Sequence, residues 1–143
     1  DYHNVPTDEQ IRIANYLSSL KADIVIGTHP HVIEPINFIN NTLVIYSLGN
    51  FISAQSTNND YNTMVELMTS VDVIKENGKI KIENLNNELL YNYYKKGSKW
   101  TDFKIIPFSQ MNETYNQDYK RLYEKYSQIV RMYNPDIKIN EIN

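Results

Sequence analysis

An α/β fold is predicted by three features of this chain. Residues 7–21 carry a capped amphipathic helix pattern, Ile24–Ile26 and Thr42–Ser47 are short apolar runs, and Asn77-Gly78 is a hairpin dipeptide between apolar stretches. A helix with one apolar stripe needs a sheet to cover, and strands without polar alternation are what a sheet covered on both faces contains. Together they describe a mixed sheet with flanking helices and antiparallel hairpin additions.

At 143 residues the chain has the size of one domain and can bury roughly two thirds of its unfolded surface. The reading is a single domain over 1–143, with a motif-bearing α/β part at 1–60, a β-rich extension at 61–110 and a C-terminal helix at 111–134. The net charge is −3 with acidic and basic residues interleaved, which leaves no basic footprint for a phosphodiester backbone and argues against nucleic acid. No apolar run approaches the ~20 residues that span a bilayer. The absence of cysteine removes disulfides, thiolate zinc sites and a cysteine nucleophile. Asp1-Tyr2-His3 has neither an initiator methionine nor a leader pattern, so the chain reads as a fragment.

The first helix starts at Thr7, which can cap, with Gln10 three residues on to close a capping box and Asp8 and Glu9 at the positive end of the helix dipole. Ile11, Ala14, Leu17 and Leu20 form its core-facing stripe. Ile24-Val25-Ile26 follows as a buried strand ending at Gly27, and Thr42–Ser47, entered from an Asn40-Asn41 turn, is a second strand of the same kind. A strand-prone stretch runs from Asn62 to Val73, followed by the Asn77-Gly78 hairpin. Leu89-Leu90-Tyr91 can extend that sheet, Lys95–Lys99 reads as an exposed loop, and a strand lies near Phe103–Ile106. Tyr115, Tyr119, Leu122, Tyr126, Ile129, Val130 and Tyr133 share one face of a surface helix that Pro135 ends.

Chemistry concentrates where the two apolar strands stop. In Gly27-Thr28-His29-Pro30-His31 the residues i and i+2 of an extended segment project to one side, so His29 and His31 can aim two imidazoles into one cleft. Neutral imidazole suits zinc, manganese or iron, and in two-metal sites adjacent histidines can serve one ion each. Taken alone, the pair reads either as metal ligands or as two polar loop residues. In Tyr46-Ser47-Leu48-Gly49-Asn50-Phe51, Gly49 permits a tight turn, and Ser47 and Asn50 offer hydrogen bonds to an oxyanion; the alternative is an ordinary turn anchored by Tyr46 and Phe51. Neither a Ser-His-Asp triad nor a glycine-rich phosphate loop can be assigned.

The stretch Asp1-Tyr2, Pro6, Gln10, Ala14, then Ala22-Asp23-Ile24-Val25-Ile26-Gly27-Thr28-His29-Pro30-His31-Val32 and Tyr46-Ser47-Leu48-Gly49-Asn50-Phe51 resembles the CapA family of poly-γ-glutamate capsule biosynthesis proteins. The motifs occur in the family's order and spacing over about a third of the chain. The resemblance implies the C-terminal half of a metallophosphatase-like layered sandwich with a dinuclear centre of divalent ions (Mn, Zn or Fe) at the strand ends. His29 and His31 would be its last ligands, and Ser47, Gly49, Asn50 and Asp1 would bind substrate.

Family members take their remaining ligands from an N-terminal half that this chain lacks. Asp1 stands where the family has glutamate, Thr28 where histidine is common and Glu34 where glutamine is common. The resemblance thus implies a half-site, with no metal held tightly by this chain alone and no turnover from it. For the intact protein it implies a metal-dependent phosphoesterase-like hydrolase acting on a phosphoester or a polyanionic polymer. The alternative is an accessory or polymer-binding component beside membrane-bound capsule synthesis proteins. Either role places it at the extracellular face of a bacterial cell membrane.

Overall fold

In the computed structural model, which describes residues 2–55, 61–99 and 101–142, the chain opens with the capped helix its sequence predicts. Thr7 Oγ1 accepts from the Gln10 backbone N–H at 3.2 Å, while the Thr7 N–H donates to Gln10 Oε1 at 2.7 Å. The reciprocal pair satisfies two donors that the first turn would otherwise leave open. Helix α1 runs Asp8–Ser19.

Three short strands form the first sheet: β1 (Ile24–Ile26), β2 (Ile36–Ile39) and β3 (Thr42–Ile45), in the order β1-β3-β2. β1 lies parallel to β3 and β2 antiparallel to it. Central strand β3 explains its own apolar sequence. Leu43 and Ile45 point into the main core, whereas Val44 and Tyr46 pack on the other face with Ala14 of α1, so both faces are covered. β1 departs from expectation. It is an edge strand of the described sheet, and Ile26 at its end is 57% exposed. β2 was not predicted as a strand; Asn40, at φ 53, reverses the chain and returns it against β3 as a hairpin.

The second sheet is an antiparallel meander of β4 (Val65–Glu76), β5 (Lys79–Lys95) and β6 (Thr101–Pro107). Asn77 and Gly78 have φ 49 and 76, the paired positive values of the two-residue hairpin that their identities predict. The strand expected at 62–73 starts later, after a 3₁₀ turn at Tyr61–Thr63, and extends farther. The Lys95–Lys99 stretch is exposed and leads into β6 as anticipated.

Helix α2 spans Tyr119–Val130, shorter than the tyrosine spacing suggests. Asn112 Oδ1 accepts from the Thr114 N–H and Asn116 Oδ1 from the Asp118 N–H, each at a length typical of a hydrogen bond. These local turns compete with helix before residue 119. Tyr115 consequently lies ahead of α2, and Tyr133 lies beyond it, edge-on to Tyr46. Tyr119, Leu122, Tyr126 and Val130 are buried in a core shared with Ile36, Leu43 and Ile45 of the first sheet and Val65, Leu67, Leu89 and Tyr91 of the second. The sheets meet at Leu48, whose carbonyl accepts from Leu67 N–H and which bridges to Ile33. Among the described residues no helix is long and apolar enough to cross a membrane.

Candidate functional site

Because β1 and β3 are parallel, the loops that follow them leave the same end of the sheet. Gly27 brings them together. Its N–H donates to Ile45 O at 2.8 Å, and a Cβ there would stand 2.1 Å from Tyr46 O, so only glycine lets the two backbones pass this closely. The 27–31 loop therefore runs beside the 46–50 loop.

Ser47 ties the two loops. Its hydroxyl donates to Pro30 O at 3.2 Å and accepts from the Gly49 N–H at 3.1 Å, and the residue is 1% exposed. With donor and acceptor both engaged inside the protein, Ser47 holds the two loops together. Gly49 has φ 78, a conformation that strains any side-chain-bearing residue, and it lies against the backbones of Ile33 and Val65.

The imidazoles of His29 and His31 lie 6.3 Å apart between ring centroids, tilted by 45°, so the two rings are neighbours. His29 is exposed and has φ 95, an uncommon value for a residue with a side chain. His31 is half-buried, and its Nδ1 lies 2.9 Å from Asn50 Oδ1. Asn50 in turn donates through Nδ2 to Thr63 O at 3.2 Å.

Tyr2 and Gln55 complete this surround. The Tyr2 ring stacks on His31 with centroids 5.8 Å apart and an interplanar angle of 25°. Gln55 Nε2 donates to the Tyr2 hydroxyl at 2.6 Å, and Asn62 Nδ2 donates to Tyr2 O at 3.0 Å. Asp1 lies outside the described residues. Glu34, although close in sequence, faces inward. It is 1% exposed and accepts from Gln10 Nε2 at 2.6 Å, and burial raises its carboxyl pKa despite that hydrogen bond. Its role is to hold α1 to the loop that follows His31.

A cavity of about 980 Å³ lies at the opposite end of the strands, lined among others by Lys21, Asp23, Asn40, Lys79 and Lys81. His29, His31, Ser47, Gly49 and Asn50 do not line it. Ligand crevices of open α/β sheets lie at the carboxyl ends of strands, which favours the histidine loop as the site.

The family described as bacterial capsule synthesis protein PGA_cap matches residues 1–55. A PGA biosynthesis protein CapA from Bacillus subtilis (strain 168) is 49% identical over 55 residues, and a capsule biosynthesis protein CapA from Bacillus anthracis is 36% identical over 55 residues. Over residues 1–55 the chain is similar to the PGA_cap family. The aligned stretch is 38% of this chain but only 14% and 13% of those two relatives. No solved structure matches the chain significantly.

Within residues 1–55, residue type and position at strand ends single out His29, His31, Gly49 and Asn50, and the structure places all four on the two neighbouring loops. Tyr2 and Gln55 are not singled out in this way, since each acts through a partner distant in sequence: Gln55 lies 53 residues from Tyr2. Among the described residues no group of three or more His, Cys, Asp or Glu comes together. A catalytic metal takes at least three protein ligands, so the described residues by themselves do not make up a catalytic metal site.

Proposed function

We propose that this chain belongs to a CapA-type protein of poly-γ-glutamate capsule biosynthesis, in which His29 and His31 supply two imidazole ligands to a divalent metal centre. Residues outside the described part of this chain would complete it. The observation that carries the reading is the pair of imidazoles at one strand end, with the Nδ1 of His31 engaged by Asn50 at 2.9 Å, as the non-ligating nitrogen of a metal-bound histidine ordinarily is.

Zinc, manganese and iron suit imidazole. The chemistry such a centre supplies is hydrolysis of a phosphoester or related bond, and a polyanionic polymer or phosphoester is the corresponding substrate. The protein would work beside membrane-bound capsule synthesis proteins at the outer face of the cell membrane. This chain alone is expected to bind metal weakly and to turn nothing over.

The incomplete ligand set also favours a second reading, an accessory component that binds polymer or a synthesis protein without catalysis. Two measurements separate these. Calorimetry of this chain with zinc or manganese should show weak binding that His29→Ala and His31→Ala abolish; a stoichiometric sub-micromolar site would overturn the half-site. A full-length CapA-type protein carrying this segment, assayed on phosphoester, phosphodiester and γ-glutamyl substrates with and without chelator, should lose both metal and turnover with either substitution. Absence of turnover on all three, with capsule formation still dependent on the protein, would leave the accessory reading.

A further inference from the structure

We infer that Asn50 is a positioning residue that fixes the tautomer of His31, holding the proton on Nδ1 so that the Nε2 lone pair is presented to the cleft. The inference deepens the metal half-site reading and rests on it for its purpose, though not for its geometry.

The argument starts at a backbone carbonyl. Thr63 O can only accept, so the Asn50 group that meets it at 3.2 Å is the amide NH₂. Gln55 Oε1, another acceptor, faces the same Nδ2 at 3.5 Å and asks for the same orientation. The Asn50 amide is therefore locked from behind, and its oxygen is the atom left to meet His31 Nδ1 at 2.9 Å. An amide oxygen accepts and cannot donate. Nδ1 must then carry the hydrogen, and a neutral imidazole with Nδ1–H has its lone pair on Nε2.

Position as well as protonation is fixed. Tyr2 lies nearly parallel over the His31 ring, and its hydroxyl is held by Gln55 Nε2. A ring pinned by a hydrogen bond at one nitrogen and by an aromatic face cannot swing to offer Nδ1 instead. The Asn50 amide bridges His31 and Thr63. The exposed His29 serves as an internal reference for the tautomer measurement.

The test is nitrogen NMR of the histidine rings in the chain as it stands, with chelator present, at an alkaline pH at which the ring shifts no longer change with pH. His31 should show a single tautomer protonated at Nδ1. In Asn50→Ala that signature should be lost to a mixture of tautomers. In Asn50→Asp, whose carboxylate still accepts, it should be kept. Zinc alone, titrated afterwards, should bind about 10-fold or more weakly to Asn50→Ala, the usual loss when the partner of a ligand histidine is removed.

Wild-type His31 protonated at Nε2, or an unchanged tautomer in Asn50→Ala, overturns the inference. If Asn50→Ala fails to fold, the wild-type spectrum and Asn50→Asp decide it. If the tautomer behaves as expected and His31→Ala leaves zinc binding unaltered, the metal reading falls and the Asn50 assignment stands.

Discussion

Gly27 and Tyr46 meet backbone to backbone: a Cβ on Gly27 would lie 2.1 Å from Tyr46 O and 3.0 Å from its carbonyl carbon. Every other relationship in the site depends on this approach. It sets the 27–31 loop beside the 46–50 loop, and only then can Ser47 reach Pro30 and Asn50 reach His31.

Gly27→Ala should therefore destabilise the fold by about 1–3 kcal/mol, the usual cost of overpacking where backbone must move. The His31 ring signals should also change as its bond to Asn50 lengthens. Gly78→Ala is the control. Gly78 has φ 76 with nothing within 4 Å of the added methyl, so it should cost only the ~1 kcal/mol of a left-handed residue and leave the His31 signals alone. Urea unfolding and ring NMR check both; equal effects at the two positions would refute the close-approach argument.

Ser47→Ala removes a buried hydroxyl that serves one donor and one acceptor, leaving Gly49 N–H and Pro30 O without that partner. A loss of about 1–3 kcal/mol follows from stranding such groups. Hydrogen exchange should quicken at the Gly49 amide. A change below about 0.5 kcal/mol with unaltered exchange would show that the hydroxyl is dispensable to the loop pairing.

Legibility in the sequence tracked how local the deciding interaction is. The Thr7–Gln10 capping box and the Asn77-Gly78 turn are written within four residues and appear as read. β1 and β3 have the same apolar character, yet one lies at the edge and the other at the centre, a difference set by partners that no local pattern contains. β2 has four residues with Phe38 exposed, too short for a period to emerge, and α2 lost its first turn to asparagine side chains that compete for the backbone. On the loops after β1 and β3, residue types single out His29, His31, Gly49 and Asn50. What they do depended on long-range partners, namely Pro30 for Ser47, Thr63 for Asn50 and Tyr2 for His31.

His29 adopts φ 95, where a side chain costs on the order of 1–3 kcal/mol. His29→Gly should then raise the unfolding free energy by about 1 kcal/mol, offset in part by the greater freedom of glycine in the unfolded chain. The same substitution should weaken zinc binding. A destabilised His29→Gly, or one that binds zinc as well as its parent, would mean that the strain serves no ligand.

Glu66 gives the most direct test of the core. It is 1% exposed on β4, and neither carboxyl oxygen has a hydrogen-bond partner. Burial pushes its pKa up to about 9, because an unpaired carboxylate is costly away from water. An unfolded chain gives up this proton near pH 4.5, the ordinary value, whereas the folded chain keeps it until about pH 9. Between those values the unfolded state binds fewer protons, so stability falls as pH rises, by at most about 1.4 kcal/mol per pH unit from this group. Glu66→Gln is neutral in both states and removes that slope. Chemical unfolding at several pH values from 5 to 9 should show the variant close to wild type at the acid end and increasingly more stable toward the alkaline end. Parallel stability curves would mean that Glu66 ionises in the folded protein near its ordinary pKa, with a charge partner or water at its carboxylate.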